Sequence, residues 1–424
     1  MRVKRWLGLA MLGLGIIGLG IALLNHGRPI DALAYANRLV DYLADRFGVP
    51  LEEQSPWLWF GLGSTVLGIF LFFFSIGRLW NTVTTALVPE GAPGSLVDAV
   101  HRNRLLAVGP RVVVVGGGTG LSTLLRGLKQ YTSNITAVVT VADDGGSSGK
   151  LQKQLNILPP GDIRNCLVAL ADSESTMTDL FQFRFRGGVE TEGLRDHAFG
   201  NLLIAAMSEI CGGDFEQGIR LTSRVLNVRG RVLPSTLGHV RLRAEMEDGS
   251  IIEGETSIAH SPLKIRKVML SDPDVEPLEE VLQAIEEADA IVIGPGSVFT
   301  SVIPNLLVKG IAHALAKSRA KKVYICNVMT QPGETDGFSA ADHVKAIAAH
   351  VPRPVFDYVM YNTGTPSLDL LNRYHESGAT LVEPDGDRIR AMGYRVLPGN
   401  YLNQTDFVRH DSAELAAAVL RLLA

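Results

Sequence analysis

Two kinds of apolar stretch divide this chain. Near its start, Trp6–Leu24 and Trp57–Gly77 run for 19 and 21 residues without a charge. Each is long enough to cross the hydrocarbon core of a bilayer as a helix. From Arg111 onward the apolar runs are short and rich in β-branched residues. Val112–Val115, Ile135–Val141, Ala290–Ile293, Lys322–Cys326 and Phe356–Tyr361 read as buried strands, each ending in small or polar residues. Helical spacing lies between them, to about Gln130 and over Ile163–Ala171, Met177–Phe185, His197–Cys211, Asp214–Leu226, Leu278–Glu287 and Ala340–His350, with a last helix from Ser412. Arg229–Ile258 alternates instead, and Glu247-Asp248-Gly249-Ser250 marks a hairpin turn. With Ile265–Leu270 it predicts a small antiparallel insertion. Ile389–Val396 reads as a second hairpin-like segment. The fold expected is α/β, a Rossmann-like mainly parallel sheet with helices on both faces, preceded by a two-helix transmembrane hairpin. The divisions expected are 1–80 for the hairpin, 81–110 for a juxtamembrane linker and 111–424 for a nucleotide-binding domain.

Charge adds an orientation to the two spans. Arg2, Lys4 and Arg5 precede the first, and Arg78, Arg102, Arg104 and Arg111 follow the second, whereas the segment between them is acid-rich. The positive-inside rule then places both termini and the large domain in the cytoplasm, with residues 6–24 and 57–77 in the cytoplasmic membrane. A cleavable leader at the first span would leave that placement unchanged. Ile30–Phe47 has the spacing of an amphipathic helix, and His101-Arg102-Asn103-Arg104 reads as a solvated basic cluster in the linker. A net charge of −4 argues against a nucleic-acid partner. Three cysteines without a Cys-x-x-Cys pair read as buried thiols.

The candidate chemistry sits at the strand ends. Gly116-Gly117-Gly118-Thr119-Gly120-Leu121 follows the first strand, and Asp143-Asp144-Gly145-Gly146-Ser147-Ser148-Gly149 follows the second. Glycines let backbone N–H groups approach a phosphate, and the helix that follows favours negative charge. Leu121 stands where a dinucleotide fingerprint needs its third glycine, and a P-loop Lys-Ser/Thr pair is lacking. A second glycine loop, Gly294-Pro295-Gly296-Ser297, leads to Thr300 and Ser301. Two such loops at strand ends suggest the two ends of one nucleotide-diphosphate site. Asp143 and Asp144 point opposite ways on extended chain, so at most one meets a given ligand, and either one fits a Mg²⁺ shared with substrate phosphates. Pro160-Gly161-Asp162 reads as a helix start with Asp162 as its cap. His197 is the candidate general acid or base, and Glu334 is a candidate polar contact. Ser-His-Asp or Cys-His spacing for a nucleophile is not found.

These blocks, with Pro160-Gly161-Asp162-Ile163-Arg164-Asn165, His197-Ala198-Phe199-Gly200-Asn201, Leu233-Pro234-Ser235-Thr236 and Cys326–Thr335, resemble the YvcK/CofD-like family from about Arg111 to the C-terminus. The resemblance implies a nucleotide ligand, a UDP-sugar or NAD, and a regulatory role in carbon metabolism, cell shape and envelope synthesis. It implies as the alternative a transferase that moves a 2-phospholactyl-type group from a nucleotide diphosphate with Mg²⁺. Carried onto this chain, it makes Gly117, Gly118, Thr119, Gly120, Leu121, Asp144, Asp162, Asn165, Asn201, Gly294, Gly296, Ser297, Thr300, Ser301 and Asn327 ligand contacts. The family's metal-binding Asp falls on Asp143 or Asp144, and these two with His197 are the catalytic candidates. A homodimer stays open, and no protein partner is named by the sequence.

Overall fold

Val112–Gly116, the strand β1, is buried at all five positions, and so is β2, Ile135–Val139. Strands apolar on both sides need cover on both faces, which a parallel sheet with crossover helices supplies. The computed structural model describes residues 2–24, 42, 45, 46, 54–87, 104–172, 174–185, 194–404 and 408–423. The helix expected at Ile30–Phe47 falls almost wholly outside those residues, and so does the middle of the linker expected at 81–110, of which 81–87 are helical and 104–110 are described. Two compact units divide the chain, residues 1–103 and 104–424.

The first unit pairs α1, Arg2–Leu24, with α2, Gln54–Leu87. Within them Lys4–Leu24 and Phe60–Trp80 are long and apolar enough to cross a membrane, with mean hydropathies of 2.4 and 1.9. Glycines set their approach. A Cβ on Gly13 would stand 2.9 Å from the Phe72 amide nitrogen, and one on Gly20 would stand 2.6 Å from that of Thr65. Gly61 and Gly68 face the same seam from the other helix, within 3.0 and 2.8 Å of Gly20 and Gly13 carbonyls. Glycines two turns apart on each helix thus let the backbones touch, the usual route to tight helix pairing where no hydrophobic effect drives association.

The second unit is built on a seven-stranded, wholly parallel sheet. Its spatial order is β10 (Arg395–Gly399), β9 (Tyr358–Asn362), β8 (Lys321–Ile325), β7 (Ala290–Ile293), β1, β2 and β3 (Arg231–Pro234). Val112 lies beside Ile135 on one flank and Ala290 on the other. The chain winds outward from β1 in one direction, then returns and winds from β7 in the other. Right-handed crossovers therefore place helices on opposite faces, and the reversal opens a crevice between the ends of β1 and β7. A separate three-stranded antiparallel sheet holds β4 (Leu242–Met246) between β5 (Ile251–Glu253) and β6 (Ile265–Leu270).

Three local expectations change. Arg231–Pro234 leaves the alternating region and pairs with β2 as the edge of the main sheet. The strand expected through Ile258 stops at Glu253, because Gly254 at φ +98° turns the chain into the short helix Glu255–Ala259. Ile389–Val396 is no hairpin. Buried Ile389 belongs to the helix Gly386–Ala391, Gly393 at φ +92° breaks it, and Arg395–Gly399 joins the sheet in parallel.

Candidate functional site

The crevice at the reversal holds a cavity of about 600 Å³. One wall is the glycine loop after β1, which opens the helix α3, Gly118–Leu128. The facing wall is Pro295–Ser301 after β7, and the floor is Asn327–Pro332 after β8. The two glycine loops meet backbone to backbone. A Cβ on Gly120 would stand 2.7 Å from the Pro295 carbonyl oxygen, and one on Gly296 would stand 3.1 Å from that of Gly117. Asn305 donates to the Gly116 and Ser301 carbonyls at 3.1 and 2.8 Å, which fixes the first loop to the second from beneath. Asn327 fixes the second: its Oδ1 accepts from the Gly296 N–H at 3.1 Å and its Nδ2 donates to the Gly296 carbonyl at 2.9 Å. Both ends of that side chain hold the loop, so Asn327 lines the cavity as a loop clamp.

Four carboxylates face this space: Asp143, Asp162, Glu255 and Glu334. Burial raises the pKa of each. Asp162 reaches about 6, through burial and then the neighbouring Asp143, although it accepts a backbone bond from Gly118. Glu255 reaches about 9, through burial and then Asp143, Asp162 and Glu334, and is therefore neutral at pH 7. Asp143 and Glu334 rise chiefly through burial. The cation nearest in charge to Asp143 and Asp162 is Arg164, whose Nη2 donates to Asn165 Oδ1 at 3.0 Å. Arg164 and Asn165 lie behind the cavity wall.

Several sequence candidates are not brought to the cavity. Asp144 turns outward, and its Oδ1 accepts from both the N–H and the hydroxyl of Thr256 at 3.0 Å. It ties the β2 loop to the antiparallel insertion, and Asp143 alone of the pair lines the cavity. His197 is buried beneath that loop, with Nδ1 3.1 Å from Ser147 Oγ. Asn201 Nδ2 and the Ala198 N–H both donate to the same hydroxyl, so Ser147 spends its own proton on His197. Burial first, then Lys150, holds the His197 imidazole toward its neutral form. The pair His197 and Asn201 therefore supports Ser147 and does not face a ligand. Leu121 is wholly buried in the core, and Gly294 turns the chain at φ +76° beneath the lining. Asp162 is the second residue of the helix Gly161–Leu170 and does not cap it, Pro160 holding the cap position; it accepts instead from Gly118, the first residue of α3. Gly117, Gly118, Thr119, Gly120, Gly296, Ser297, Thr300 and Ser301 do line the cavity.

The model for the CofD family, described as 2-phospho-L-lactate transferase CofD, matches residues 112–402. This chain belongs to that family. Within it the chain is 51% identical to a gluconeogenesis factor of Halalkalibacterium halodurans over 311 residues, 73% of this chain and 95% of the relative. It is 47% identical to the Bacillus subtilis gluconeogenesis factor over 315 residues, 74% and 98% of the two chains. A crystal structure of a UPF0052-family protein from Bacillus halodurans superposes with a TM-score of 0.70 at 49% identity, covering 74% of this chain and 99% of that one.

Glu334, a candidate polar contact from its Pro-Gly-Glu-Thr turn, does line the cavity. Glu255 had no sequence signal in this CofD-family chain, because it follows the φ-positive Gly254, where the sequence suggested a continuing strand. Tyr374, Arg409 and His410, from the C-terminal part, complete the far rim.

Proposed function

We propose that this chain is a regulatory protein of the gluconeogenesis-factor type that binds a nucleotide diphosphate, a UDP-sugar or NAD, in the β1–β7 crevice. The observation that carries this reading is the pair of glycine loops facing each other across one cavity at the reversal of strand order, where open α/β sheets take their ligands. The N-terminus of α3 presents its backbone there, and a cavity of this volume matches a nucleotide-sized ligand. The names of the relatives support a link to carbon metabolism, and the resemblance extends it to cell shape and envelope synthesis. Residues 6–24 and 57–77 tether the chain to the cytoplasmic membrane, and the positive flanks place the large domain in the cytoplasm. The test is equilibrium binding of the full chain in detergent micelles to UDP-N-acetylglucosamine, UDP and NAD. Saturable binding of one of them is expected; failure of all three removes this reading.

The description of the family model supports a second reading, transfer of a phospho-substituent. Among the described residues no three His, Cys, Asp or Glu side chains converge as a metal cage. Mg²⁺ needs none, because one or two carboxylates suffice when substrate phosphates supply the other oxygens. Asp143 fits that part from inside the cavity, with Asp162 beside it, and Asp144 does not, since Thr256 holds it outside. The ion would supply neutralisation of phosphate charge. The residues themselves would orient the donor: the glycine loops against its phosphates, Asn327 by holding the second loop still. Turnover of a nucleotide diphosphate donor that disappears in Asp143→Asn while binding persists would favour this reading over the first.

A further inference from the structure

The hydroxyls best placed to receive a phosphate at the second loop are already in use. Ser297 Oγ donates to Glu334 Oε2, Thr300 Oγ1 lies 2.8 Å from Ser297 Oγ, and it also reaches Glu334 Oε1 at 3.3 Å. A carboxylate of the chain itself sits where an anionic ligand group would take those bonds. The backbone beneath Glu334 is fixed. The Glu334 and Thr335 amides both donate to the Gln331 carbonyl, at 3.1 and 2.9 Å, and Gly333 donates to Asp336 Oδ2 at 2.8 Å. Its side chain, however, has somewhere to go. A second cavity of about 340 Å³ lies behind it, lined by Ser261, Lys264 and Asp336 among others, and of the residues lining the two cavities Glu334 alone belongs to both.

We propose that Glu334 is a stand-in for a ligand's phosphate, holding Ser297 and Thr300 in register until a phosphate displaces it toward the second cavity. The inference rests on the nucleotide reading above and names the residue that sets which charge the second loop accepts. Three observations favour displacement over coexistence. The two hydroxyls have one proton each and cannot satisfy both a carboxylate and a phosphate. Asp143 and Asp162 already make the crevice acidic, so a phosphate and an ionised Glu334 on the same donors repel at short range. Lys264 offers a cation on the far side of the Glu334 wall, beside Glu247 and an Asp336 already engaged by the Gly333 N–H.

The test uses the full chain in detergent micelles and inorganic pyrophosphate as the probe, which needs no base recognition. Glu334→Gln keeps the shape and removes the charge. It is expected to bind pyrophosphate at least tenfold tighter than wild type. Equal or weaker binding by a folded Glu334→Gln, including no binding by either protein, overturns the inference. Ser297→Ala, with Glu334 intact, gives an independent measure should Glu334→Gln fail to fold. Binding at least fivefold weaker is expected if phosphate takes over the hydroxyl, and unchanged binding overturns it. UDP and NAD titrations of wild type score the nucleotide reading separately: those can fail while the pyrophosphate ratio stands, and the reverse.

Discussion

Gly117→Ala probes the join between the first glycine loop and Asp162. Gly117 has φ −171°, an extended conformation that any residue adopts, so the substitution tests space and not backbone strain. The added Cβ would collide with Asp162 Oδ2 and would stand 3.0 Å from Thr140 Cγ2 and 3.3 Å from Ser301 Cβ. Those neighbours come from three different segments, and none can yield without moving another. Overpacking of this kind costs about 1–3 kcal/mol. Pushing Asp162 aside also breaks its bond from the Gly118 N–H, worth about 1.5–3 kcal/mol for an ionised acceptor. The expected loss is about 3–5 kcal/mol, read by urea unfolding of the full chain in micelles. All four tryptophans, Trp6, Trp57, Trp59 and Trp80, precede residue 104, so the readout is far-UV circular dichroism or pulse proteolysis and not tryptophan fluorescence. Asp162→Ala in the same background opens the space, and the cost of Gly117→Ala should then fall by about 1–2 kcal/mol, a coupling typical of touching residues. Additivity within about 0.5 kcal/mol would show that Asp162 does not fill this loop.

Asp162 titrates near 6 in the folded chain against an ordinary 3.8, so the native state holds its proton more tightly than the unfolded state. That contribution is complete below pH 3.8 and is lost as pH rises to about 6, up to about 3 kcal/mol; Asp162→Asn should flatten the stability profile across that window. Glu255, at about 9 against 4.5, contributes in full only below pH 4.5 and loses that contribution as pH rises to about 9, so Glu255→Gln should melt close to wild type at pH 4, above it at pH 7 and further above it at pH 9.5. Asp143→Asn should leave nucleotide binding in place and remove any turnover, whereas Asp144→Ala should lower stability by about 1 kcal/mol and leave binding near wild type. Gly20→Leu, placed 2.6 Å from the Thr65 amide, should separate α1 from α2, measured as faster amide hydrogen exchange along both helices in micelles.

The legible part of this fold is local. A short apolar run that gives way to small or polar residues marks a buried parallel strand from the sequence alone, and all five strands read that way lie in the main sheet. Asp214 opens the helical stretch read at Asp214–Leu226, and it caps that helix by accepting from the Gln217 N–H. What could not be read arrives from a distance. Thr256 holds Asp144 across 112 positions, and Glu255 reaches the cavity only because that tie docks the insertion there. Asp162 turned on two residues of register, since two steps past the cap position it no longer caps its own helix and faces the glycine loop. His197 misled for a different reason: a buried histidine with one hydroxyl partner has the same sequence surroundings as a catalytic one, and only the count of donors on Ser147 tells them apart.

The acidity of the cavity and its glycine loops look contradictory for a phosphate site, and the contradiction has a physical resolution. Backbone N–H groups and hydroxyls gathered for an anion would be left unpaired in a closed core, which is costly. Here the chain's own carboxylates meet them, Asp162 at Gly118 and Glu334 at Ser297 and Thr300. Burial then raises the pKa of those acids, and at Asp162 the neighbouring Asp143 adds to it, so their ionised forms are held there at a cost. A site of this kind opens in one of two ways, by moving a carboxylate out or by bringing a cation in. Glu334 has a second cavity to move into, and Asp143 has the geometry to share a cation with phosphate. A binding protein needs only the first; a transferase needs the second as well, and Asp143→Asn separates the two.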